Sequence, residues 1–156
     1  MSNTFSVNNT LYIYWLTLAD YFFRAYALDP TNPIINLNIG LAYIHDALRK
    51  TTENRQHCIL QGLTFLFVYY DDRKLSCNVE ERQEAHYNMG RCYQLLGLPH
   101  LAIPYYSLVL EEASGVGEIS SREDLNVETA YNLQTIYSTS GNSTLAKHIT
   151  ERWLTI

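Results

Sequence analysis

Apolar residues along the chain recur at three- and four-residue intervals, in segments long enough for helices. No run alternates with period two for long, and no Asn-Gly or Asp-Gly hairpin turn occurs, so the pattern predicts an all-α fold. Polar connections interrupt it three times. The first runs from Arg49 to His57, and the second from Asp71 to Glu84, opening on Asp71, Asp72, Arg73 and Lys74. The third, over 111–128, carries Ser114, Gly115, Gly117, Ser120 and Ser121 among its acids and reads as a solvated loop. The most apolar stretch, Leu11 to Leu28, contains Asp20 and Arg24, which excludes a membrane span. Within it Leu18, Tyr21, Phe22, Ala25 and Leu28, followed by Asp29-Pro30, read as the second helix of a hairpin whose first helix is missing. Such a helix leaves an apolar face open, so the chain is expected to be the end piece of a longer array.

The helical segments repeat. Asn36-Leu37-Asn38-Ile39-Gly40-Leu41-Ala42-Tyr43 aligns with His86-Tyr87-Asn88-Met89-Gly90-Arg91-Cys92-Tyr93 and with Ala130-Tyr131-Asn132-Leu133-Gln134-Thr135-Ile136-Tyr137. The last two continue alike, through Gly97 to Leu101-Ala102-Ile103 and through Gly141 to Leu145-Ala146-Lys147. This resembles the tetratricopeptide pattern of helical hairpins. Met89, Gly90 and Tyr93 match its first helix, and Ala102 and Tyr106 its second. Gly90 and Ala102 are small where two helices cross closely, while Tyr93 and Tyr106 fill the volume beside the crossing. Gly97 suits the left-handed position that ends the first helix, and Pro99 the first turn of the next. Pro104 lacks an N–H and is expected to kink that second helix or delay its start. Fifty positions separate Gly40 from Gly90 and 44 separate Tyr87 from Tyr131, against about 34 for the family, and the excess falls in the polar connections. The expected architecture is a short right-handed solenoid of stacked antiparallel hairpins. Residues 1–10 are unassigned and 11–156 form the array, with units near 11–30, 33–70, 83–113 and 127–156 and an acidic loop over 111–128.

Beyond the generic repeat, the order of these features resembles the C-terminal part of the large tetratricopeptide subunits of TFIIIC, the general transcription factor of RNA polymerase III. The resemblance is carried by Arg24-Ala25-Tyr26, the run from Asp29-Pro30 through Asn36-Leu37, and Gly40-Leu41-Ala42-Tyr43-Ile44-His45. It continues through Gln61-Gly62, Phe65-Leu66, Tyr87-Asn88-Met89-Gly90-Arg91, Gln94-Leu95-Leu96-Gly97-Leu98 and His100-Leu101-Ala102-Ile103 with Tyr105-Tyr106. It closes on Ala130-Tyr131-Asn132-Leu133, Ile136-Tyr137 and Ser140-Gly141-Asn142. The resemblance covers residues 12 to 156, both long insertions included. It implies a nuclear, non-catalytic scaffold in a complex that binds the internal promoters of tRNA and 5S RNA genes. The partners it implies are other TFIIIC subunits and TFIIIB components, with DNA met only through the complex.

Composition narrows this little further. The 47% apolar residues exclude intrinsic disorder, and 13 tyrosines call for large aromatics that keep one polar end. Six acids against Arg122 in the stretch from Glu111 to Glu128 account for the whole net charge of −5. That balance is wrong for gripping phosphates, and the acidic stretch itself reads as solvated rather than as a basic partner's dock. No early basic-plus-apolar segment reads as a signal peptide, which makes the sequons at Asn8 and Asn142 coincidental. Three cysteines without a CxxC pair fit a reducing compartment. The spacings among His86, Cys92, Cys58 and Cys77 match no zinc pattern, and buried thiols are expected, with no cofactor. His57-Cys58 are helix neighbours that point apart, and Gly115-Val116-Gly117 lacks the third glycine of a phosphate loop. An all-α enzyme using His86 and Glu84, or a metal site at the cysteines, is the alternative of a different class; a tetratricopeptide adaptor of another assembly is the alternative of the same class.

Solenoids bind through the concave face of their first helices. There stand Leu37, Asn38 and Leu41, then Tyr87, Asn88, Arg91 and Gln94, then Tyr131, Asn132 and Thr135. The recurring Asn38, Asn88 and Asn132 either offer donor and acceptor to an extended partner's backbone or cap and bridge neighbouring helices; the sequence leaves both open. A clamp for a terminal carboxylate needs several cations, and Arg91 alone is insufficient. The tail from Trp153 to Ile156 is apolar where an array needs a polar cap, so it either folds back over the last hairpin or meets another subunit. The second reading places Trp153 among the partner-binding residues.

Overall fold

The computed structural model describes residues 20–49, 52–114 and 125–154. Residues 1–19, Gly115-Val116-Gly117 and the centre of the acidic stretch lie outside these, as do Thr155 and Ile156. The fold is all-α and tetratricopeptide-like, with no strand among the described residues. The chain divides into two compact units, Met1–Asp71 and Asp72–Ile156.

The first unit holds α1 (residues 20–28), α2 (Pro33–Ala47) and most of α3 (Arg55–Arg73). Asn32 caps α2, its side-chain oxygen accepting from the backbone N–H of Ile34 at 3.1 Å and Ile35 at 3.3 Å, with Pro33 opening the helix. Buried Asn36 fastens the preceding link by donating to the carbonyls of Pro30 and Asn32, both at 2.9 Å. The two long helices cross where neither residue has a side chain. A Cβ at Gly40 would lie 2.6 Å from Leu66 Cγ, and one at Gly62 would lie 2.9 Å from the Gly40 carbonyl. Beside the crossing, Tyr43 stacks on Phe65 at 6.0 Å, and Phe23 and Tyr26 of α1 meet Phe65 edge-on.

The second unit contains α4 (Val79–Leu95), α5 (Pro99–Ser114), α6 (Asn126–Thr139) and α7 (Ser143–Ile149), which runs on into a π-helical turn, Thr150–Leu154. Two identical devices end the first helices. Gly97 and Gly141 adopt φ of 75° and 81°, as the pattern requires of the former. Leu98 and Asn142 then donate back to the carbonyls of Tyr93 and Tyr137 at 2.9 and 2.8 Å. Across the α4/α5 crossing, Tyr106 and Ala102 are fully buried with Met89 and Cys92, and Tyr93 stacks on Tyr105 at 5.6 Å. Each such large side chain contributes about 1.5–3 kcal/mol through burial. Leu133 and Ile136 of α6 and Ala146 of α7 continue the core.

Five helix boundaries differ from the sequence reading. Arg55-Gln56-His57 form the first turn of α3, and Asp71-Asp72-Arg73 its last. Residues 79–84 open α4, capped by Asn78 with Glu80 and Glu81 favourably placed at the positive end. Polar residues that read as connection are the solvent faces of helix ends. Likewise, Glu111 and Glu112 belong to α5 and residues 126–128 to α6. Pro104 sits inside α5, which begins at Pro99 without delay. Cys77, expected to be buried, is exposed on the link before α4, whereas Cys92 is in the core.

Candidate interaction face

The first helix of each hairpin places its sequence-derived candidates on one stripe. In the first unit, Asn38 and Leu41 are half-buried on α2, and the Asn38 amide donates to the Ile34 carbonyl of its own helix at 2.7 Å.

In the second unit the candidates come together. The register of α4 and α6 is set by two side-chain bridges. Gln83, fully buried, donates to the Val109 carbonyl at 3.1 Å and to Asn126 Oδ1 at 3.3 Å, tying α4, α5 and α6. Four residues further along α4, the Tyr87 hydroxyl accepts from the Asn132 amide of α6 at 3.5 Å. The Asn132 amide therefore bridges two helices, one of the two roles open from sequence, while the Asn88 amide meets Glu84 at 3.5 Å. Tyr131 projects outward, 63% exposed, and Thr135 Oγ1 returns to the Tyr131 carbonyl at 2.9 Å.

A relay from the core fixes the cation of this face. The Tyr106 hydroxyl donates to Gln94 Oε1 at 2.6 Å, and the same oxygen accepts from Arg91 Nη1 at 3.1 Å. Burial holds the Tyr106 phenol protonated well above its ordinary pKa, so it remains a donor. Gln94 is thereby occupied on its oxygen and holds Arg91 in place.

Behind the face, Arg82 clasps Glu112 with two bonds, Nε to Oε1 at 3.0 Å and Nη2 to Oε2 at 2.7 Å, and gives its third donor to the Ser76 carbonyl. The Arg82 guanidinium keeps the Glu112 carboxyl below its ordinary range. Burial pushes His86, beside this pair, toward its neutral form. Neither Gln83 nor Arg82 was singled out from sequence, since a polar residue on an amphipathic helix gives no sign of which neighbour it will meet.

Of the apolar tail, the described part up to Leu154 lies against its own hairpin. The π-helical turn packs on α6, and half-buried Trp153 shares a shallow groove with Leu110, Leu133 and Tyr137, the Arg152 guanidinium lying 5.3 Å over its ring. Among the described residues no three His, Cys, Asp or Glu side chains converge as a metal site would need.

No family model matches the chain. It is similar to three curated proteins: 42% identical over 149 residues to the transcription factor tau subunit sfc4 of Schizosaccharomyces pombe, and 38% identical over 142 residues to the transcription factor tau 131 kDa subunit of Saccharomyces cerevisiae. The third is the human general transcription factor 3C polypeptide 3, 40% identical over 126 residues. These matches take in 90%, 91% and 80% of the chain but only 15%, 13% and 14% of the respective relatives, so the chain spans about a seventh of their length.

Proposed function

The chain is homologous to a segment of TFIIIC subunits, and from this we propose that it is a non-catalytic scaffold segment on which that complex assembles for transcription by RNA polymerase III. The observation that carries the reading is the 38–42% identity to these subunits over about nine-tenths of the chain. The reading places the chain in the nucleus, serving tRNA and 5S RNA genes, with other TFIIIC subunits and TFIIIB components as partners and DNA reached through the complex. The α4–α6 face supports it physically. Tyr131, Asn88 and Arg91 offer an outward ring, an amide and a charge on a preformed surface, the combination that protein partners use at low ordering cost.

The test uses the full-length subunit carrying Tyr131→Ala together with Asn88→Ala. Circular dichroism should remain helical while association with the other TFIIIC subunits weakens and transcription of a tRNA gene falls. Unchanged association of every subunit would remove this face from the assembly.

A further inference from the structure

Folding back does not use up the apolar surface of the tail. Helix α6 packs against both α5 and the π-helical turn, so Leu133 and Tyr137 form the floor of a groove between them. Leu110 of α5 makes one wall, and Ile149 of α7 with Trp153 makes the other. The groove holds about 370 Å³ and stays open to solvent. Small-molecule sites of roughly 300–1,000 Å³ enclose most of their ligand. An open trough at the small end of that range instead receives a side chain that a larger partner inserts.

The two walls differ in charge. Arg152 lies over the Trp153 ring, 5.3 Å from its centroid, and His148 stands one turn earlier on the same wall. Among the described residues no carboxylate pairs with either. The neighbouring ion pair, Lys147 with Glu151 at 3.5 Å, lines a different recess. A guanidinium resting on an aromatic ring is held in place by it and still has its N–H edge to offer a carboxylate. Glu111 stands on the α5 wall and repels an acid arriving there, so a carboxylate is accepted on the α7 side alone. The π turn Thr150–Leu154 supplies that wall, carrying both Arg152 and Trp153. Single π turns are rare and recur at functional sites.

We propose that this groove takes a large aliphatic side chain of another protein, with a carboxylate on the same side of that segment reaching Arg152. The inference rests on the scaffold reading above and adds a second surface with the chemistry of its occupant. Leu133 and Tyr137 lie roughly half a turn around α6 from Tyr131 and Thr135, so this surface is separate from the α4–α6 face. The aliphatic side chain follows from the apolar walls and floor. The acid follows from Arg152, backed by His148 as a second donor, against Glu111 alone. Two side chains share one side when they are two positions apart on a strand or four on a helix.

The experiment titrates the whole 156-residue chain with terminally blocked peptide pools of about 15 residues, long enough for either conformation. Binding is read by NMR at the Trp153 indole N–H, assigned with Trp153→Phe, and at the Arg152 Nε–H. The pools fix Leu and Glu two or four positions apart, in either order, and matched pools replace Glu with Lys or Leu with Ser. At least one Leu/Glu pool should bind about two- to fivefold more tightly than its Lys match. It should bind about tenfold more tightly than its Ser match. Arg152→Glu should erase the preference for Glu and Arg152→Lys should keep part of it, with circular dichroism helical in both. A preference that survives Arg152→Glu, equal binding of matched pools, or no shift with any pool would overturn the proposal. So would a Trp153 signal that moves with protein concentration alone, which assigns the groove to a second copy. Binding seen only after Thr155 and Ile156 are removed would assign it to the chain's own end and overturn it likewise. The scaffold reading is decided separately, by association of the full-length subunit with the other TFIIIC subunits.

Discussion

The ring of Tyr106 lies where a side chain at Gly90 would begin: a Cβ on Gly90 would stand 2.7 Å from both Cδ1 and Cε1 of that ring. The ring cannot retreat freely, since it is fully buried and its hydroxyl is held by Gln94. Gly90→Ala therefore sets two effects against each other. Overpacking costs about 1–3 kcal/mol, while alanine's helix propensity returns somewhat less than 1 kcal/mol. We expect a net loss of about 1–2 kcal/mol, which for a chain of this size lowers Tm by roughly 3–6 °C. Adding Tyr106→Leu should make Gly90→Ala less costly than it is in the native background. A thermal melt in which Gly90→Ala alone raises Tm would show that propensity wins and that the contact is not tight.

Stability should fall with acid in two steps. His86 is pushed below its ordinary 6.5 chiefly by burial, with Arg82 acting in the same direction and Glu112 and Glu111 against it. A base with a depressed folded pKa is stabilising while neutral, so its contribution is complete above 6.5 and lost as pH falls below that value. Glu112 is depressed mainly by its bond to Arg82, so its contribution is present above the ordinary carboxylate range and lost as pH falls through its lower folded pKa. Urea titrations at pH 7, 5.5 and 3.5 should show His86→Gln flattening the first decline and Glu112→Gln the second. Identical pH profiles for both variants and the native chain would refute this assignment.

The three thiols should separate by reactivity. Cys77 is exposed, Cys58 is half-buried with its thiol pushed up by burial and by Asp46 at 3.6 Å, and Cys92 is buried and pushed up to about 12. The thiolate is the reacting form. A disulfide reagent at pH 8 should therefore titrate one thiol promptly, a second slowly, and the third only on unfolding. Prompt loss of the first phase on Cys77→Ser checks the assignment; prompt reaction of Cys92 in the native chain would contradict the packing.

The second unit was largely legible in the sequence, because its hairpins keep the family's local spacing. Gly90 and Ala102 are twelve positions apart, and so are Gln134 and Ala146. The first crossing was not, because 22 positions separate Gly40 from Gly62, and nothing local marks Gly62 as the partner of Gly40. Helix ends were misplaced where charged side chains occupy solvent-facing turns, as at Arg55 and Glu80. The recurring asparagines look alike as letters but do different things: Asn38 binds its own helix, Asn88 touches Glu84 and Asn132 crosses to Tyr87. That difference arises from neighbours brought near by folding, which a repeat alignment does not encode.

The paired glycine closures have a kinetic consequence. With Gly97 and Gly141 reversing the chain within three residues, α4/α5 and α6/α7 are built from contacts between near neighbours, whose loop entropy is small. The α2/α3 crossing must first close the longer link from Leu48 to Asn54. Folding should therefore start in the second unit, and pulse-labelled amide exchange should protect Tyr93 and Ile136 before Ile44 and Leu66; the reverse order would mean that the glycine crossing, not the short turns, nucleates the chain.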